Sequence, residues 1–296
     1  MSDNLRGSLL MVLAMAAFAL EDMLIKLLAD RVPLGQVITF LGIGGAGVFA
    51  VIVRARRQLV FAPEALSGPV ILRNLCEVVG GIAFVLAFVL APLSTASAIL
   101  QATPLAVTLG AAVFMGAQVG WRRWTAILAG FAGVLLIVRP GLEGFQPASL
   151  FAVVAVVLLA TRDLATRRVP VHVSGWQLSC WAYAAIIPGG LLLFAVFNDG
   201  PVVPSAPDAA LMGAMLAVGL VAYWAIVAAT RTGEVPVVTP FRYTRILFAL
   251  VIGVTVFGER PDALTLVGAT IVVAAGLFTL WRETRGRGLQ TGPGAV

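Results

Sequence analysis

Ten apolar stretches, each long enough to cross a bilayer, fill almost the whole of this 296-residue chain, and they fall into two runs of five. The odd number per run is the tightest constraint on folding. A second five-span unit derived from the first must start on the opposite face of the membrane, so the two units run antiparallel. A hydrocarbon core about 30 Å thick takes ~20 mostly apolar residues per helix, and its backbone polar groups must bond among themselves, which selects helices. The expected spans are 7–28, 34–53, 70–90, 94–115, 121–138, 148–166, 174–197, 209–230, 235–257 and 263–281. Their connections are short turns such as Arg31-Val32-Pro33, Ala91-Pro92-Leu93, Arg139-Pro140-Gly141 and Arg260-Pro261. The expected fold class is therefore an all-α integral membrane protein: ten transmembrane helices as two inverted five-helix repeats around a central cavity. The first repeat occupies 1–140, the second 141–285, and a cytoplasmic tail 286–296.

Composition agrees, with 60% hydrophobic and 11% charged residues and a mean hydropathy of +1.01. No stretch remains for a soluble catalytic or nucleotide-binding domain. The pI near 10.3 raises the question of nucleic acid, and the placement of the cations answers it. With a cytoplasmic N-terminus, inner ends and loops hold Arg6, Arg54, Arg56, Arg57, Arg73, Arg122, Arg123, Arg162, Arg167, Arg168, Arg231, Arg282, Arg285 and Arg287; outer loops hold Arg31, Arg139 and Arg260. That asymmetry is a positive-inside signal, with both termini cytoplasmic and anionic lipid headgroups rather than nucleic acid as the partner. Ala14-Met15-Ala16 has the form of a signal-peptidase site, but the apolar run continues past it and the count of five requires this helix. Cys76 and Cys180 lie inside spans, one per half, and are expected to be unpaired packing residues.

Internal similarity supports the duplication. Ala111-Ala112-Val113-Phe114-Met115-Gly116 and Gly253-Val254-Thr255-Val256-Phe257-Gly258 close the fourth span of each half, 142 residues apart, and one residue of slippage then aligns Gly133 with Gly276. The segment Phe241-Arg242-Tyr243-Thr244-Arg245-Ile246-Leu247-Phe248-Ala249, with Phe257-Gly258-Glu259-Arg260-Pro261-Asp262, resembles the second repeat of EamA-type proteins of the drug/metabolite transporter superfamily. Ala91-Pro92-Leu93-Ser94-Thr95-Ala96, Ala102-Thr103-Pro104-Leu105 and the run from Gly130 to Pro140 are similar to the first. The resemblance covers about residues 5–285, with one departure: Ala117-Gln118 stand where the second repeat keeps Glu259-Arg260. It implies a ten-helix carrier. Family members include bacterial exporters of aromatic amino acids and other metabolites, and uptake carriers for S-adenosylmethionine.

Charges within hydrocarbon are costly and mark cavities or partners. On the first span Glu21, Asp22 and Lys26 lie toward the outer end; Asp22 and Lys26, four residues apart, either neutralise each other or line a vestibule. Asn74 and Glu77 share a face of the third span, at a depth matching Arg242 and Arg245 on the ninth. A pair between Glu77 and one of these arginines is expected, either as a static lock or with Arg242 or Arg245 freed to hold a substrate carboxylate through its forked donors. Ser97, Gln101 and Pro104 line one face of the fourth span, and Pro104, Pro236 and Pro240 interrupt the fourth and ninth. Paired interrupted helices point to a carrier's substrate site, although a proline kink alone is the plainer reading. Tyr223 and Trp224, with Trp176 and Trp181, either flank a pocket or serve as packing and interface rings. The expected substrate-binding set is Glu77, Asn74, Ser97, Gln101, Tyr223, Trp224, Arg242, Tyr243 and Arg245; Asp22, Glu77 and Asp163 are candidate proton acceptors. Asp163, beside Arg162, also reads as an inner-edge ion pair.

His172, the sole histidine, falls in a loop, and no cluster has metal-ligand spacing. No phosphate-binding glycine loop with its lysine is present, since Lys26 is the sole lysine. No metal or cofactor is expected. Alternating access in the inner membrane, driven by a substrate or proton gradient, is the expected mechanism. The expected cargo is an amino acid or similar amphipathic compound, moved outward on the strength of the resemblance. Uptake of a metabolite such as S-adenosylmethionine and multidrug efflux are the alternatives. An intramembrane enzyme is remote, because Ser94 and Ser97 have no histidine at their depth; a channel or partner subunit is the third class. The assembly state expected is monomer or homodimer.

Overall fold

The computed structural model of the chain describes residues 2–117, 119–197, 200–232 and 235–288, with side chains described there except at 231, 235, 236 and 283–288. Gln118, the side chains of Arg231, Pro236, Arg285 and Arg287, and the tail beyond Gly288 thus lie outside the described residues.

The described residues are helical throughout, without strands. The order is α1 (Asp3–Ala29), α2 (Leu34–Ala55), a 3₁₀ turn (Pro63–Leu66), α3 (Gly68–Leu90), α4 (Leu93–Leu100), α5 (Thr103–Met115) and α6 (Trp121–Val138). Then come α7 (Ser149–Thr166), α8 (Gly175–Phe197), α9 (Ala206–Thr232), α10 (Val235–Val238), a second 3₁₀ turn (Thr239–Tyr243), α11 (Thr244–Phe257) and α12 (Ala263–Gly288). Ten spans result, with α4 and α5 sharing the fourth, and the second 3₁₀ turn and α11 the ninth. "Terminal side" below means the face on which α1 begins, and "far side" its opposite.

Both interruptions have one cause and one position. Pro104 lacks an N–H and its ring crowds the carbonyl four residues back; the freed Leu100 carbonyl accepts the Thr103 hydroxyl at 2.6 Å. In the second half, Thr244 Oγ1 donates to Phe241 O at 2.7 Å, just past Pro240. The spans end alike too. Gly116 (φ 66°) and Gly258 (φ 62°) take the left-handed conformation, and the following N–H groups, of Ala117 and Glu259, donate to Ala111 O and Gly253 O at 3.1 and 2.9 Å. The same cap thus recurs at the 142-residue offset.

The halves are interleaved rather than set side by side. Helix α1 runs along α9 and α3 along α7, while α2 lies on α8 and α6 on α12. Exchanging the two repeats turns the first pairing into the second and leaves the other two unchanged, which is the signature of a two-fold axis in the membrane plane. On that axis the paired helices touch through glycine: a Cβ on Gly35 would fall 2.6 Å from Gly190 O, and one on Gly133 2.8 Å from Gly268 O. Small residues permit this approach where lipid gives helices no reason to associate. Gly133 therefore packs on Gly268, whereas its sequence counterpart Gly276 makes room for the Tyr243 ring. Leucines and valines such as Leu13, Val51, Leu75, Val157 and Val251 stand exposed around the bundle. In water that belt would be a liability; in a bilayer it is the matching surface.

Candidate functional site

Polar side chains collect along the seam between the repeats. On the terminal half, Arg162 of α7 places Nη1 3.0 Å from both carboxylate oxygens of Glu77 on α3. Its Nη2 sits 2.8 Å from Asp163, and Arg73 reaches Glu77 at 3.7 Å. Arg73 also donates to Asn74 Oδ1 at 2.8 Å and to Leu178 O at 3.3 Å. The cluster is charge-neutral and spans the two repeats. Glu77 does pair across the halves, but with Arg162 rather than with Arg242 or Arg245. The reason is packing: α3 lies along α7, whereas α11 lies against α1 and α4. The inner-edge pair of Arg162 with Asp163 is present as expected.

Arg245 is taken by Asp22, whose Oδ2 lies 2.6 Å from Nη2, and its guanidinium stands about 5 Å from the Phe18 and Phe84 ring centres (5.3 and 5.2 Å). Asp22 and Lys26 consequently do not neutralise each other. Lys26 turns to the far end, donating to Ala91 O at 2.8 Å and pairing with Glu259 at 3.4 Å. Glu259 is the residue whose importance the motif comparison understated. Its carboxylate accepts from the N–H groups of Leu93 (2.5 Å) and Ser94 (3.0 Å) and from Ser94 Oγ (2.6 Å). It therefore caps α4 across the repeat boundary, where the helix dipole favours an anion. The repeat-equivalent position is Ala117, so this latch exists on one side only. Cavities of ≈ 490 Å³, lined by Lys26, Pro92 and Phe145, and ≈ 120 Å³, lined by Ser94, Arg139 and Glu259, open beside it.

At the interruptions, Gln101 Nε2 donates to Arg242 O at 3.3 Å, tying the two broken spans together. Ser97 Oγ and the Tyr243 hydroxyl are buried there without a hydrogen-bond partner among the described residues. Arg242 enters no ion pair among the described residues, although Asp163, Arg162 and Arg245 act on it electrostatically. It is the cation of the seam left without a bonded anion. Tyr223 packs edge-on to Phe49 at 5.0 Å, in a cluster with Tyr183 and Trp176, while Trp224 points away and is 51% exposed. Trp181 is spent on Val60 O at 2.7 Å. Of the aromatic residues singled out, Tyr223 thus faces the interior and Trp224 the bundle surface.

Glu21 was grouped with the outer-edge charges, and the structure separates it from them. It is 7% exposed and fits into the notch left by Gly219, where a Cβ would come within 2.4 Å of its carboxylate. No described residue donates a hydrogen bond to it. Outside the spans, charges pair conventionally. The bond from His172 holds the Glu64 carboxyl below its ordinary value, and Arg139 beside Asp262 pulls that carboxyl down to about 2.

A duplicated, inverted ten-helix bundle whose polar groups line the seam between repeats is the architecture of a membrane carrier. Both halves match the EamA-like transporter family, over residues 5–139 and 146–281. The chain belongs to that family, within the drug/metabolite transporter superfamily; it is a multi-pass membrane transporter and not an enzyme. Curated relatives align over nearly their full length. The S-adenosylmethionine uptake transporter of Rickettsia prowazekii is 26% identical over 95% of this chain and 94% of its own. The riboflavin transporter of Rhizobium johnstonii is 27% identical over 94% and 92%. The pseudopaline exporter of Pseudomonas aeruginosa is 27% identical over 91% and 94%. A solved crystal structure superposes with a TM-score of 0.62 at 20% identity, covering 95% of this chain and 98% of that one, a likeness of fold.

Proposed function

We propose that this protein is a secondary carrier in the bacterial inner membrane, with cytoplasmic termini, for a small amphipathic metabolite bearing an anionic group, an amino acid or a compound built on one. The observation that carries this reading is Arg242, a guanidinium at the junction of the two broken spans with no ion-pair partner among the described residues. A forked donor held there is suited to a carboxylate, and Gln101, Ser97 and Tyr243 supply polar groups around it. Glu77, Asn74 and Arg245 act through packing and charge balance at the edges of the pathway, and Tyr223 belongs to its wall. Repeats divided near residue 140 rock against each other around this junction. The name of the Rickettsia relative favours uptake, that of the Pseudomonas relative export, and the same pathway serves either.

Counterflow in proteoliposomes tests the reading, with S-adenosylmethionine, riboflavin and aromatic amino acids as probes. Saturable exchange of at least one probe is expected. Arg242→Gln should lower it at least tenfold, the loss of one charge-assisted bond (about 1.5–3 kcal/mol). Unchanged exchange in that variant would remove Arg242 from the site.

A further inference from the structure

We infer that Glu21 is the proton-carrying residue of this carrier, a step that rests on the transport reading above. The argument starts from the repeat. At the 142-residue offset, Glu77 on the third span corresponds to Gly219 on the eighth, and at 141 Arg162-Asp163 on the sixth corresponds to Glu21-Asp22 on the first. The interleaved packing brings both pairs of positions into contact: Glu77 meets Arg162, and Gly219 meets Glu21. One copy of the repeat thus holds a complete ion pair. The other has exchanged the cation for a carboxylate and the facing carboxylate for no side chain at all. From opposite ends of the bundle the depths match, with Glu77 nine residues into α3 and Glu21 eight residues from the end of α1, about 14 and 12 Å at 1.5 Å per residue.

The groups around Glu21 leave it without a bonded counter-charge. On its own helix Asp22 is occupied by Arg245, and Lys26 by Glu259 and Ala91 O. From α11, Arg245 spends its described ion pair on Asp22. From α9, Gly219 offers no side chain, and Tyr223 is a turn nearer the terminal side, packed on Phe49. From α8, Tyr183 lies within electrostatic range. Glu77 on α3 is engaged by Arg162; α2 places no ionisable group before Arg54. Next to α1, the turn before α11 carries Arg242, whose electrostatic neighbours are Asp163, Arg162, Arg245 and Tyr243. A carboxylate buried in this way does not persist as an ion; it neutralises. In the closed arrangement Glu21 therefore holds a proton on one carboxylate oxygen. The O–H bond forms with a proton from far-side water when that side opens, and breaks to water on the terminal side when α1 and α9 part there. Glu77, Asp163 and Asp22, each held by an arginine, are unsuited to the same exchange.

The test uses the full-length protein and Glu21→Gln, an isostere of the protonated form. Infrared difference titration of the detergent-solubilised protein, which needs no substrate, should show a protonated-carboxyl band at neutral pH that Glu21→Gln removes. In proteoliposomes with S-adenosylmethionine, riboflavin or an aromatic amino acid, the variant should keep counterflow while losing accumulation driven by a pH gradient; Glu21→Asp should restore part of it. Since the glutamine matches the protonated form, its melting temperature at neutral pH should equal or exceed that of the parent. A variant that still concentrates the probe, that loses counterflow as well, or that no longer folds overturns the proposal. So does a parent that exchanges its probe yet ignores a pH gradient, or that lacks the carboxyl band. No counterflow with any probe in the parent would instead refute the carrier reading, leaving the infrared result to stand alone.

Discussion

Glu259 shows how much one side chain decides. It satisfies two orphan donors at the start of α4 and neutralises Lys26, whose own fourth-turn neighbour is committed elsewhere. Glu259→Ala should therefore cost about 2–4 kcal/mol, the sum of a lost cap and a buried ammonium left without its carboxylate. Denaturant unfolding in detergent micelles measures it, and a loss below ~0.5 kcal/mol would show that the latch contributes little. Asp262, a few residues on, works at the surface. Its carboxyl is depressed from 3.8 to about 2 by Arg139 and by the Thr265 N–H. A depressed carboxyl contributes stability that is complete above its unfolded value. That contribution fades as pH falls from about 4 through about 2. Because Asp262 is 53% exposed, solvent screening holds the effect under ~1 kcal/mol. Asp262→Asn should thus melt below the parent at neutral pH and converge with it in acid; a constant difference across that range would exclude the ion pair as its source.

Between elements, the decisive contacts are glycine against backbone. Gly133 and Gly268 bring α6 and α12 together so closely that a Cβ on either would meet the other's carbonyl, at 2.8 and 2.6 Å. Backbone cannot rotate away as a side chain can, so Gly133→Ala should separate the helices and cost ~1–3 kcal/mol. Gly81 on α3 is the control: a Cβ there meets nothing within 4 Å, and Gly81→Ala should be neutral or mildly stabilising. Thermal unfolding of the pair in micelles reads the difference, and equal melting temperatures would mean that the axis contact is not tight. The interruptions of the fourth and ninth spans belong to this scale as well. Pro104 and Pro240 break hydrogen-bond ladders at equivalent places, and the break creates the irregular backbone where Gln101 and Arg242 meet. Such backbone survives at membrane depth only when protein or a water-filled cavity surrounds it.

For the molecule as a whole, orientation follows from charge and inversion from helix count. Leu59, in the loop after α2, and Leu142, in the loop after α6, stand on opposite faces and are both largely exposed. Cys76 and Cys180 are buried. A membrane-impermeant maleimide should then label Leu142→Cys in intact cells, and Leu59→Cys only after permeabilisation. The reverse pattern would invert the orientation that the arginines imply, and labelling of both from outside would break the antiparallel arrangement itself.

Hydropathy, turn residues and the 142-residue echo were enough to place ten spans, their duplication and their breaks, because each of these is written within about twenty consecutive residues or repeated along the chain. The third span's period even put Glu77 at the right depth and facing the other half. Its partner was another matter. Depth and face are properties of one helix, whereas choosing among Arg162, Arg242 and Arg245 depends on which helix of the opposite repeat lies alongside. The interleaving settled that, as it settled that Asp22 would hold Arg245 while Lys26 swung to Glu259. Glu21 was visible as a charge on an apolar helix. That it faces a glycine, with no counter-ion bonded to it, is a fact about two helices some two hundred residues apart in the chain, and only their packing brings it into being.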